Sequence, residues 1–164
     1  MKKPKYEEVA KILDYNPKTG KFFRKINTGS FGRIGEVLGY TTKRGYRKTS
    51  VCNIQLYDHQ LAWLLFYSKW PDRQIDHING NRSDNRISNL REATVSQNAL
   101  NRSYQSNSKT KYKCINWKPD RKKYRVKIGV NKKYYHIGYF VNLDEAIKAR
   151  DIAIKKLHGE FAKV

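Results

Sequence analysis

The sequence is short of cysteine, short of acid and without a long apolar run, and each shortage closes off a class of protein. Its two cysteines, Cys52 and Cys114, stand far apart and in no C-x-x-C pair. A disulfide framework and a cysteine zinc site are both excluded, and a reducing, cytoplasmic setting is expected. No apolar stretch approaches the roughly 18 residues that a membrane span needs. The N-terminal "MKKPKYEEVAKIL" turns acidic before any apolar run develops, so a soluble chain without a signal peptide is expected. Against 14 Asp and Glu stand 35 Lys and Arg, a net charge of +21 with a pI near 10.0. Counterion release rewards such a surplus on a polyanion, which makes nucleic acid the first partner to consider. An anionic membrane would want a basic helix with a strongly apolar opposite face. Here the basic residues run through strand-like and turn-like segments with Tyr and Trp between them, and no membrane partner is expected.

What is present belongs to a folded protein: 38% hydrophobic and 13% aromatic residues in a chain of 164, enough for one domain or two small ones. Tyr6, Val9, Ala10 and Leu13 recur at helical spacing before "NPKTG" ends the helix in a turn, and "KFFRKI" follows as a strand. "YRKTSVCNIQL" reads as a β-hairpin arm. Asp58, or the residue before it, can cap "HQLAWLLFYSKW", a helix apolar nearly all round that should end before Pro71. "LREAT" is a short strand, and Thr94 can cap a short helix over "VSQNALNR". The acid-free, Ser- and Asn-rich "NRSYQSNSKTK" is the best linker. Beyond it "YKCINW", "KYRVKIGV" and "KYYHIGYF" predict three strands, and "DEAIKARDIAIKKLHG" a helix ended by Gly159. Residues 109–164 hold 16 basic and 5 acidic residues and the rest 19 and 9; both parts should touch phosphate.

The chemistry gathers in "QIDHINGNRSDNRISNL", residues 74–90. Asp76 is a hard oxygen ligand suited to Mg2+ or Mn2+, and a neutral His77 is a natural base for a water near pH 7. Neighbours on a strand point to opposite faces, so the two can serve one centre only if the strand ends there and the backbone turns at Asn79-Gly80. Asn98 offers a second, uncharged oxygen. Taken alone, an Asp-His pair is a surface turn, and Asn-rich loops cap and turn the backbone.

The string "DHINGNRSDNRISNLREATVSQN", residues 76–98, resembles the HNH endonuclease motif in the form found in phage and intron-encoded homing endonucleases. The resemblance spans the "DH" pair, the Asn-Gly turn, "N-x-x-x-N-R-x-x-N-L-R" and the closing "Q-N". It implies a ββα-metal unit, a β-hairpin closed by a helix around one divalent ion, Mg2+ or Mn2+. It further implies that His77 activates water, that Asp76 and Asn98 are the metal ligands, and that Asn89 orients the His loop. Asn98 replaces the motif's last His, as in several phage members. Asn85 and Arg86 are expected to shape the loop, and Arg91 to contact phosphate or to be an exposed strand residue. His59 begins a segment similar to the family's "H-R-L-A-W", with Gln60 for the usual Arg, and is expected to be structural. Hydrolysis in this family leaves 5′-phosphate and 3′-hydroxyl ends, and the scarcity of acids around Asp76 agrees with one ion rather than two.

The segment from Lys111 to Ala162 resembles the Apetala/ethylene-response-factor DNA-binding domain, through the Trp117 strand, "Y-R-V-K-I", "H-I-G-Y-F" and "D-E-A-I-K-A-R-D-I-A". The resemblance implies a three-stranded antiparallel sheet on one helix, with Asn116, Lys118, Arg125, Lys127 and His136 facing the DNA groove and Trp117 able to face either way. Cys114 stands where Gly is usual, and Asn116 and Lys118 replace two Arg, so base specificity does not carry over.

The expectation is an α+β protein: an N-terminal helix and strand extension and a nuclease domain over 1–102, with the nuclease core over about 59–102, a linker over 103–111, and a DNA-binding domain over 112–164. Its function would be metal-dependent cleavage of double-stranded DNA by a homing-type enzyme, in the host cytoplasm if phage-encoded. No protein partner is implied; a monomer with one site would nick, and a homodimer could cut both strands. The alternatives are a non-catalytic DNA-binding regulator with a degenerate site, and an RNA-binding protein, which would show stacking platforms in place of a metal site.

Overall fold

The computed structural model describes residues 3–27, 32–95, 97–98, 110, 112–130 and 133–159. They divide into two compact units, Met1–Ala93 and Thr94–Val164. Both mix short helices with small antiparallel sheets. No helix among the described residues is long and apolar enough to cross a membrane.

In the first unit α1 spans Tyr6–Ile12, one residue short of the periodic pattern, because Leu13 is already extended and opens strand β1, Leu13–Asn16. Leu13 is buried there, so its apolar signal serves the core from a strand. β1 pairs with β2, Lys21–Arg24, and β2 with β3, Val37–Leu38. A second sheet joins β4, Tyr40–Thr41, to β5, Arg47–Val51, and β6, Ile54–Tyr57. Cys52 and Asn53 close the β5–β6 hairpin with φ of 51° and 58°, the left-handed pair that a two-residue hairpin turn requires.

Helix α2, Asp58–Tyr67, ends where Ser68 turns left-handed ahead of Pro71. Asp58 does not cap it. Its fully buried carboxylate accepts from Arg47 Nε at 3.2 Å and Thr49 Oγ1 at 2.8 Å, tying the helix start to β5. Strands β7, Gln74–His77, and β8, Leu90–Ala93, form a hairpin in register Asp76 to Arg91 and His77 to Leu90. Val9, Leu13, Phe22, Leu61, Leu64, Ile75 and Leu90 share one core, against which Trp63 and Trp70 pack.

In the second unit Thr94 caps a helical turn as expected. Gln97 N–H donates to Thr94 Oγ1 at 3.2 Å and Thr94 N–H to Gln97 Oε1 at 2.8 Å, a reciprocal capping box. Most of the expected linker lies outside the described residues; Thr110 donates its hydroxyl to Ile115 O at 2.8 Å. Strands β9, Ile115–Lys118, β10, Lys123–Val130, and β11, Lys133–Phe140, form one antiparallel sheet with β10 central. Helix α3, Leu143–His158, is capped by Asn142, two residues before Asp144, and its Ala146 and Ile154 pack with Ile115, Val126 and Ile128.

Candidate active site

His77 is the last residue of β7, and the chain turns directly after it: Gly80 N–H donates to His77 O at 2.8 Å, with Gly80 at φ 75°. Asp76 and His77 are both buried, at 4% and 5% exposure. The Asp76 carboxylate is oriented from across the hairpin, where Arg91 Nε and Nη2 each lie 3.0 Å from Oδ2. Arg91 is therefore engaged with Asp76 and is not the exposed strand residue that was one expectation.

His77 Nε2 lies 3.2 Å from Asn85 Oδ1, and Asn85 is 1% exposed. The amide's orientation is set by its other end, since Nδ2 donates to Ser83 O at 3.3 Å. In that orientation Oδ1 faces Nε2 as an acceptor, an arrangement that suits the tautomer with its proton on Nε2 and its lone pair on Nδ1. Burial lowers the His77 pKa, while the Asn85 hydrogen bond and the charges of Asp76 and Asp84 pull the other way. The imidazole is accordingly neutral near pH 7.

Asn89 holds the loop that follows. Its Oδ1 accepts from Asn79 N–H at 3.0 Å, its Nδ2 donates to Asp84 O at 2.8 Å, and its backbone O accepts from Ile78 N–H at 2.9 Å. The loop's other acid, Asp84, is occupied by Arg86 Nε at 2.8 Å and by Asn79 Nδ2 at 2.8 Å. The Arg86 contact above all drops its carboxyl pKa to about 2. Two aromatic rings flank the base: His59 meets His77 edge-on with centroids 5.2 Å apart, and Tyr46 lies 6.1 Å away. His59 is buried, its Nδ1 has no hydrogen-bond partner, and burial holds its pKa down at about 3. Arg82 stacks over the Tyr46 ring at 4.9 Å.

Residues 56–100 match the HNH endonuclease family. The chain is also 32% identical over 143 residues to an uncharacterized HNH endonuclease of Acanthamoeba polyphaga mimivirus, covering 85% of this chain and 73% of that relative. The chain belongs to the HNH endonuclease family. Membership implies nuclease activity, and the matched segment contains Asp76, His77, Asn89, Arg91 and Asn98.

Nucleases of the HNH family use a divalent metal. Among the described residues no three His, Cys, Asp or Glu side chains gather around one point. The donors beside His77 nonetheless fit a hard cation that keeps water and phosphate oxygens as ligands. Asp76 supplies a buried carboxylate, Asp84 is committed to Arg86 and Asn79, and Asn85 and Asn89 bring no charge. Asn98 belongs to the second unit, half-buried, with its N–H donating to Thr94 O at 2.9 Å.

The C-terminal sheet sorts the remaining HNH-protein candidates by face. Ile115 pairs with Val126 on the helix side, so Asn116 and its partner Arg125 lie on the outer side, as do Lys118 and Lys123. A bulge in β11 keeps Lys127 opposite His136. Trp117 pairs instead with Tyr124, whose side chain belongs to the helix-side core, and the two rings meet edge-on at 4.8 Å. The sequence pattern had not singled out the aromatics of the outer side: Lys127 Nζ sits 4.0 Å above the Tyr134 ring, and Arg121 4.6 Å above Tyr139. Gly129 makes room for this arrangement, since a Cβ there would lie 3.2 Å from the Tyr134 ring. Tyr46 was likewise hidden, in a segment without a motif, and Asn85, expected only to shape the loop, also meets the base.

Proposed function

We propose that this chain is a homing-type DNA endonuclease that hydrolyses double-stranded DNA with one divalent ion, Mg2+ or Mn2+. The observation that carries the reading is the buried His77, whose Nε2 meets the Asn85 amide oxygen beside the Asp76 carboxylate. His77 accepts a proton from water at Nδ1, and the oxygen attacks phosphorus in line with the departing 3′ oxygen. Asn85 receives Nε2–H throughout, so the imidazolium that forms keeps its hydrogen bond. Asn89 holds the loop in place, and Arg91 holds Asp76. Asp76 and Asn98 would hold the ion in a ββα-metal arrangement. Bound there, it supplies positive charge against the scissile phosphate and the leaving oxygen. The products are 5′-phosphate and 3′-hydroxyl ends.

The domain reading is 1–102 for the nuclease, 103–111 for the linker and 112–164 for an Apetala/ethylene-response-factor-type DNA-binding domain. Its support is the outer sheet face, where Asn116, Lys118, Arg125, Lys127 and His136 alternate with core residues and the three strands contain no acid. The free thiols of Cys52 and Cys114 agree with a cytoplasmic setting.

The test is to incubate the full chain with supercoiled plasmid DNA, with and without Mg2+ or Mn2+, beside His77→Ala. Metal-dependent nicking or linearisation that His77→Ala loses is expected. DNA binding without cutting under either metal would leave a non-catalytic DNA-binding regulator.

A further inference from the structure

Asn85, whose side-chain amide meets His77, has its backbone held by a segment outside residues 56–100. Tyr15, on β1, donates its hydroxyl to Asn85 O at 2.7 Å. Two residues on, Pro17 O accepts from Ile87 N–H at 3.1 Å. In the turn that closes β1 and β2, Gly20 has φ 71° and packs so close that a Cβ would stand 2.6 Å from both Arg86 N and Asn85 C. The hairpin thus touches residues 85, 86 and 87 in succession, which sets the height and rotation of that backbone beneath His77. Its own position is set by the core. Tyr15 stacks on Phe22 with centroids 5.0 Å apart, and Phe22 is fully buried with Val9 and Leu13. Burial, reinforced by the Asp84 charge, pushes the Tyr15 hydroxyl well above its ordinary range, so it remains a donor.

We propose that Tyr15 is a positioning residue for the general base, acting through Asn85, and that the β1–β2 hairpin is part of the working active site. The inference rests on the reading above in which His77 activates water. The Asn85 side chain follows its backbone, and that backbone belongs to an irregular segment with no sheet partner to align it. Without the Tyr15 hydroxyl the peptide can rotate and carry Oδ1 away from Nε2. The base then samples the other tautomer and wrong ring angles, and small misplacements at a reacting group cost rate rather than binding.

A double-mutant cycle on plasmid cleavage tests this, with Mn2+ present and at a temperature below the unfolding midpoint of every variant. Tyr15→Phe should lower kcat roughly five- to tenfold, the value of one net hydrogen bond, with KM changed less than about twofold. Added to Asn85→Ala, it should cost nothing further. Wild-type kcat in Tyr15→Phe, or an equal loss in the wild-type and Asn85→Ala backgrounds, overturns the proposal. His77→Ala separates this from the reading beneath it. Full cutting by His77→Ala removes the base assignment itself, and the role of Tyr15 with it. An inert His77→Ala beside an unimpaired Tyr15→Phe removes only the role given to Tyr15.

Discussion

Nε2 of His77 lies 3.2 Å from Oδ1 of Asn85 in a pocket that leaves both side chains almost wholly out of solvent. One neutral amide thereby faces Nε2 and leaves Nδ1 as the nitrogen to take a proton, and its hydrogen bond raises the His77 pKa against the effect of burial. An imidazole in the opposite tautomer would point an N–H at the attacking water, which no change of pH can correct.

Substitution of Asn85 separates those two effects. Asn85→Leu removes the acceptor and should lower kcat roughly ten- to a hundredfold while DNA affinity stays near wild type. Asn85→Asp keeps the acceptor but places a carboxylate against Nε2–H. A nearby negative charge favours the imidazolium, so the His77 pKa should rise and the acid limb of kcat/KM should move to higher pH. Rate measurements between pH 5 and 9 check both; an Asn85→Asp profile that superimposes on wild type would show that Asn85 does not sense the base.

Acid stability follows from the paired imidazoles. His77 titrates below its ordinary value, and His59 at about 3, both chiefly because they are buried. For a histidine with a depressed folded value, the unfolded chain binds more protons once the pH falls below about 6.5. Stability is therefore fully present above that pH and is lost as the pH falls toward the folded value, at up to about 1.4 kcal/mol per pH unit for each group. Urea unfolding at pH 7 and pH 4.5 should show this loss, and His59→Gln, which cannot titrate, should flatten it. An unchanged slope in His59→Gln would mean that other groups carry the acid sensitivity.

What could be read from the sequence was whatever had a period or a fixed string. The run "KYRVKIGV" marked a C-terminal strand, and Thr94 marked the start of its helical turn. The Asp76-His77 pair and Asn89 stood in a recognisable frame. Of the two N-cap candidates the position fell on Tyr57, the residue before Asp58, because the Asp58 carboxylate is taken up in a buried ion pair and only tertiary placement brings Arg47 and Thr49 to it. Asn85 was legible as a loop-shaping residue of the motif but not as the partner of His77, because an amide's role depends on which of its ends faces which neighbour. Tyr15 and Gly20 act across some 65 to 70 residues of sequence, a separation at which no local pattern exists.

The two faces of the C-terminal sheet should respond differently to substitution. Arg125 and Lys127 lie outward with Asn116 and His136 opposite them, whereas Trp117 packs on Tyr124 at the helix side. Removing an outward cation that neutralises a phosphate should weaken binding at low salt and reduce the slope of log K against log salt by roughly one per contact. Arg125→Ala and Lys127→Ala should do so with little change in thermal midpoint. Trp117→Ala removes an aromatic contact instead, and should lower the midpoint while leaving the salt slope intact. Fluorescence anisotropy on duplex DNA from 50 to 300 mM salt, beside thermal melts, reads both quantities. A flattened salt slope in Trp117→Ala with an unshifted midpoint would place DNA on the opposite side of the sheet from the one proposed, because only a direct phosphate contact changes the number of counterions released.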